Sequence, residues 1–166
     1  MARISLRPLG VGALCLTLLL LAACSSDTPA ASSTSAATSG SSPSPCGEIT
    51  PAGGEITVTE MDFAIEPSPA SAPAGKVAFD IQNEGPQTHE FVVFKTDLDP
   101  ADLPTNADGT VDEEGQGVKH IDEVEDIAAC TSESLSVNLA AGNYVLICNL
   151  PSHYQQGMHT AFSVTG

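Results

Sequence analysis

Cys148, His153 and Met158 stand five residues apart, directly after the apolar run Tyr144-Val145-Leu146-Ile147. A thiolate, an imidazole and a thioether on one short loop form a soft donor set, and that set favours copper. A second imidazole beside the thiolate, with the thioether as a long axial donor, would complete a trigonal site suited to one-electron chemistry.

The chain has four histidines: His89, His120, His153 and His159. His89 follows a turn-like Gly85-Pro86 and opens the run Phe91-Val92-Val93-Phe94, so it is expected at the start of a strand. His120 lies in an acidic, irregular stretch and is the poorer candidate. His159 directly follows Met158 and would point away from it on a strand. Taken singly, a Cys in an apolar strand is usually a small buried hydrophobe, and a lone Met or His is ordinary core or surface material. The joint spacing argues for a ligand loop.

On these residues the chain resembles the cupredoxins, over about residues 53 to 166. Its Cys-x4-His-x4-Met spacing is similar to the ligand loop of the rusticyanin and sulfocyanin type. The resemblance implies copper ligands His89, Cys148, His153 and Met158, one ion cycling between Cu(I) and Cu(II), and single-electron transfer by a Greek-key β-sandwich. Two positions depart from the family pattern. Glu90 stands where Asn often follows the first His, which bears on hydrogen bonding around the site. Ser152 replaces the Gly that often precedes the second His, and little consequence is expected from it.

The elements that would position these ligands read as short strands. Glu55–Phe63 and Lys76–Ile81 alternate apolar and polar residues, as does Ser134–Leu139. Phe91–Phe94 is continuously apolar, as a central strand would be. Thr160–Val164 forms the last strand. Pro67, Pro69 and Pro73 separate the first two strands and exclude a helix between them. The expectation is an all-β, antiparallel Greek-key sandwich with a long acidic loop insertion between Asp97 and Asp126. Within that segment, Ile121–Ala129 is expected to form a short helix or turn.

Residues 1–23 read as a secretory signal, with Arg3 and Arg7 ahead of the apolar run Leu9–Ala23. Leu21-Ala22-Ala23-Cys24 resembles a bacterial lipoprotein cleavage box, which implies lipid on Cys24; the plainer reading is ordinary signal cleavage. Residues 24–45 are Ser-, Thr-, Ala- and Pro-rich and too polar to fold, so they read as a tether with a reach of roughly 25 Å. Residues 46–166 form the copper-binding domain. The protein is expected to be exported, held at the cell membrane by its lipid, with the domain on the extracytoplasmic side.

Of the five cysteines, Cys15 would leave with the signal, Cys24 would carry lipid and Cys148 must stay a free thiolate. Cys46 and Cys130 remain as the candidate disulfide in an oxidising compartment; the alternative is two unpaired thiols. After Cys24 the chain carries three Lys against 21 Asp and Glu, which argues against nucleic acid and anionic membrane surfaces as partners. A basic redox partner, such as a cytochrome or a terminal oxidase, suits this charge, and so does a merely solvated acidic face. A calcium loop at Asn106–Gly109 fails the EF-hand pattern. The expected function is a monomeric electron carrier and not an enzyme, since no His-x-His pair or second domain is present. The alternative is a copper scavenger or donor without redox work. Against that stands a Met count of three, one of them the initiator.

Overall fold

The first sheet is built from period-two alternation. In β1 (Ile56–Met61), Ile56, Val58 and Glu60 face inward. In β7 (Ser132–Leu139) the inward residues are Leu135, Val137 and Leu139. The computed structural model describes residues 45–166, so the signal, Cys24 and nearly all of the tether lie outside the described residues.

β1 and β7 flank β4 (Gly75–Asn83), and β2 (Ala64–Ser68) closes the edge, in the order β2-β1-β4-β7. The second sheet has the order β3-β9-β8-β5-β6, with β3 (Ser71–Pro73), β5 (His89–Thr96), β6 (Val118–Ile127), β8 (Gly142–Ile147) and β9 (His159–Thr165). Both sheets are mixed, because β1 pairs with β4 and β3 with β9 in parallel. This corrects the purely antiparallel expectation. The chain leaves the β1–β2 hairpin, crosses to the edge of the other sheet as β3, and returns beside β1 as β4. The proline-rich stretch is therefore strand as well as connection. Pro67 and Pro73 lie on the edge strands β2 and β3, where a missing N–H need not break a ladder.

Phe79 meets Phe91 and Phe162 between the sheets, with ring centroids 5.2 and 5.4 Å apart. A second apolar cluster lies on the other face of the five-stranded sheet. There Val92, Phe94, Val145 and Ile147 pack against Leu103 and Val111. β5 and β8 are thus buried on both faces, which explains their continuous apolar runs.

The acidic segment divides in two. Its first part, between β5 and β6, lays Leu103 and Val111 over that outer face, and its second part is β6 itself, an edge strand on β5. The helix or turn expected at Ile121–Ala129 is a strand as far as Ile127. Register irregularities between His89 and Phe91 and between Val93 and Phe94 interrupt the alternation. Ile121, Val124 and Ile127 consequently fall three apart and imitate a helical period. Cys46 and Cys130 are joined by a disulfide, with Cα atoms 5.0 Å apart, which ties the start of the domain to the β6–β7 turn.

Candidate metal centre

β5 begins at His89, and Cys148 directly follows β8. The pairing of Val92 with Ile147 brings both residues to the same end of the sheet. The chain then folds back through a short 3-10 helix (Tyr154–Gln156) into β9. His153 and Met158 lie on this return.

Three donor atoms converge. His153 Nδ1 lies 3.2 Å from Cys148 Sγ and 3.3 Å from His89 Nδ1, and Cys148 Sγ lies 4.0 Å from His89 Nδ1. The centre of a triangle with those sides is about 2.1 Å from each corner. Metal–imidazole bonds of about 2.0–2.1 Å and metal–thiolate bonds of about 2.3 Å, as zinc makes, are of that length. Two imidazoles and a thiolate in one plane fit a soft, three-coordinate metal. Met158 is fully buried in the core cluster that holds Cys148. Its carbonyl accepts the Cys148 amide at 3.1 Å, and its own amide donates to the His153 carbonyl at 3.1 Å. The first and last donors of the loop are therefore bonded to each other at its base.

The loop has little slack. Gly157 ends the 3-10 helix in the left-handed region, at φ 106°. Buried Tyr154 anchors the loop to the segment between β5 and β6: its hydroxyl accepts the Leu103 amide and donates to the Pro100 carbonyl, both at 2.9 Å. Ser152 adopts φ 72°. A non-glycine residue there costs about 1–2 kcal/mol, so the exchange of Gly for Ser carries a strain that the sequence reading discounted.

Surrounding groups orient the donors. His89 Nε2 lies 3.0 Å from Asp62 Oδ1. A carboxylate only accepts, so Nε2 carries the proton and Nδ1 offers its lone pair to the triangle. Gln87 donates its side-chain amide to the other Asp62 oxygen. A Cβ on Gly85 would stand 2.6 Å from Asp62 Oδ1 and 3.0 Å from His89 Nε2, so this close approach needs glycine. The Glu90 amide donates to Cys148 Sγ at 3.3 Å. That contact uses backbone, so Glu in place of Asn does not remove it. Phe63 sets its ring edge-on to His153, centroids 5.1 Å apart.

Burial pushes the Cys148 thiol up to about 12, against the hydrogen bonds from the Leu150 and Glu90 amides. Burial lowers both His89 and His153, while Asp62 opposes the shift. Both imidazoles are held toward the neutral, metal-binding form.

Residues 69–166 match the sulfocyanin (SoxE) domain. The chain belongs to the sulfocyanin (SoxE) domain family. Among solved structures it is similar to dithionite-reduced auracyanin from the photosynthetic bacterium Roseiflexus castenholzii, at 21% identity over 66% of this chain and 95% of that chain, with a TM-score of 0.49. It is also similar to auracyanin B, at 24% identity over 70% and 91% of the two chains, TM-score 0.49, and to reduced rusticyanin, at 15% identity over 66% and 77%, TM-score 0.45. No curated protein gives a significant match. The architecture is the all-β, cupredoxin-like sandwich.

The sulfocyanin match begins after β1 and β2, so Glu60, Asp62 and Phe63 stand outside it. None of the three was legible as a site residue, because nothing in their spacing ties them to a histidine 26 to 29 positions later. The other two histidines are elsewhere. His159 packs on Tyr154, centroids 5.0 Å apart. His120 lies on β6 against Phe94 and is part of a regular strand. Glu60 is fully buried, and neither carboxylate oxygen has a hydrogen-bond partner. Burial, then the nearby Glu90, raises it well above the usual carboxylate range. Glu90 is raised to about 7 by burial and by Glu123, Glu113, Glu125 and Asp126.

Proposed function

We propose that this chain is a type 1 blue copper protein that carries single electrons between redox partners. The observation that carries the reading is the buried triangle of two imidazole nitrogens and one thiol sulfur. His89, Cys148, His153 and Met158 would hold the metal. Bound copper would supply the Cu(I)/Cu(II) couple.

The chain's own residues do the rest. The Cys148–Met158 and Met158–His153 backbone bonds fix the spacing of the loop donors, so little rearrangement accompanies a change of charge. Asp62 holds His89 in one tautomer and one orientation. His89, Cys148 and Met158 are fully buried, while His153 keeps 8% of its surface exposed, which makes its ring edge the natural route for an electron.

The reading extends to an exported monomer, lipid-anchored through Cys24 with the domain on the extracytoplasmic side. It would meet a cytochrome or terminal oxidase bearing a basic docking face, and it would have no substrate of its own. The acid excess of the chain and the resemblance of residues 21–24 to a lipoprotein box support this extension.

Titration with Cu(II), followed by visible absorption and EPR, tests the centre. One equivalent is expected to give an intense thiolate-to-copper band with narrow hyperfine splitting, both abolished in Cys148→Ser. A colourless complex would refute the type 1 site and leave a copper scavenger as the better description.

A further inference from the structure

Three of the four donors share one short return of chain, and backbone bonds tie them together there. His89 has no part in that loop. The pairing of β5 with β8 begins only at Val92, and the ladder to β6 is irregular between His89 and Phe91. Strand pairing therefore holds His89 weakly, and residues 84–88, between β4 and β5, must place it.

Asn83, the last residue of β4, is fully buried beside that segment. Its side-chain amide donates to the Gln87 carbonyl at 2.8 Å and to the Ile127 carbonyl at 2.9 Å, and its Oδ1 accepts the Gly85 amide at 2.9 Å. Both N–H groups meet carbonyl oxygens and the oxygen meets an N–H, so a single orientation of the amide fits. Ile127 is the residue paired with His89 across the sheet. One side chain thus closes the turn on itself and fastens it to β6 at the level of the ligand. Two of the residues it holds act on His89. Gly85 comes close to His89 Nε2 and Asp62, and Gln87 donates to the Asp62 carboxylate that accepts from that nitrogen.

The Cys46–Cys130 disulfide lies directly behind this turn. The Cys130 amide donates to the Asn83 carbonyl at 3.0 Å, and the Asn83 amide donates to the Thr131 carbonyl at 2.9 Å. Cys46 Sγ lies 3.4 Å from the Glu84 carbonyl oxygen and 3.9 Å from that of Gly85. The bond thus covers the outside of the turn while Asn83 fills its inside.

Taking the donor triangle as a copper centre, we propose that Asn83 is the positioning residue for His89 and that the Cys46–Cys130 disulfide locks it in place. The pair does for the isolated ligand what the backbone bonds of the ligand loop do for the other three.

The test is Cu(I) affinity, measured by competition with a coloured chelator, in the native chain and three variants. Affinity should fall about tenfold or more in Asn83→Ala and in the double variant Cys46→Ser/Cys130→Ser. The double variant removes no buried hydrogen bond, so it answers the question even where Asn83→Ala does not fold. Val77→Ala empties a buried site at the far end of β4 and should leave affinity unchanged. Circular dichroism reports that each protein is folded. The reduction potential should rise in Asn83→Ala, because a loosened imidazole disfavours Cu(II) more than the softer Cu(I), and it should not move in Val77→Ala. Native affinity in Asn83→Ala or in the serine pair would overturn the proposal. An equal loss in Val77→Ala would overturn it too, since the effect would then be one of stability alone. Cu(I) binding is read without the blue band, so this proposal and the type 1 assignment fail separately.

Discussion

Replacing Asp62 with Asn separates the charge of this residue from its hydrogen bond. Asn keeps a side-chain oxygen to accept the proton of His89 Nε2, so the imidazole stays in its tautomer while one negative charge disappears. The carboxylate stands 3.0 Å from Nε2. Adding the width of the ring and one bond length places it roughly 7 Å from the centre of the donor triangle, where a unit charge is worth about 2.4 kcal/mol at an effective dielectric of about 20. For one electron that is about 100 mV. The side chain of Asp62 is one-fifth exposed, and solvent screening brings the expectation to roughly half to all of that value. The carboxylate favours the more positive, oxidised centre, so Asp62→Asn should raise the reduction potential. Protein-film voltammetry at low and high salt reads the shift directly. Asp62→Ala loses the acceptor too and should weaken copper binding about 10- to 100-fold. A potential that falls or stays fixed in Asp62→Asn would refute the assignment of Asp62 as the charged support of His89.

Three further outcomes follow from the same geometry. Because burial holds the Cys148 thiol up to about 12 and keeps both ligand imidazoles toward neutrality, metal must displace one thiol proton near neutral pH. Copper affinity should therefore rise about tenfold per pH unit there, and calorimetry in buffers of different ionisation heat should count one proton released; none released would contradict it. Glu60 is raised above its ordinary 4.5 by burial, so the folded chain loses stability as pH climbs from that value toward the raised one, by up to about 1.4 kcal/mol per unit. Glu60→Gln should flatten that part of the profile in denaturant melts of the metal-free protein, and an unchanged slope would mean that Glu60 is not the group. Ser152→Gly should stabilise the loop by about 0.5–1 kcal/mol, the left-handed strain less the added freedom of the unfolded chain; a lower melting temperature would refute the strain.

Much of the centre was legible because its donors are chemically unusual and its loop is short. Cys148, His153 and Met158 lie within eleven residues, and His89 announces itself by opening an apolar strand. The supports were not legible. Asp62 reaches His89 only because the β1–β2 turn folds onto the end of β5, and no local pattern encodes that approach. The strands misread were those whose burial is not periodic in two. β2 and β3 carry prolines that an edge tolerates, and β6 is bulged, so its apolar residues fall three apart. Ser152 was discounted because residue type alone does not reveal a left-handed backbone.

The alternation of a strand decides which residues face the donor triangle and which face the outer, acidic side. Successive side chains point to opposite faces, so His89 enters the core side while Glu90 enters the outer, acidic side. The same holds where β8 ends: Cys148 turns inward to the imidazoles, and Asn149 turns outward to Glu113 and the Val111 backbone. A one-residue slip of β5 would put Glu90 in the place of His89, and one of β8 would put Asn149 in the place of Cys148. The continuous apolar stretch between these ends, buried on both faces, cannot by alternation alone report which register is right. That information comes from the flanks. The Val92–Ile147 pairing is held by the outer cluster with Leu103 and Val111, and Tyr154 fastens the ligand loop to the same covering segment. The acidic segment is therefore part of what sets the donor triangle, through the register it enforces on the two strands that supply its first two corners.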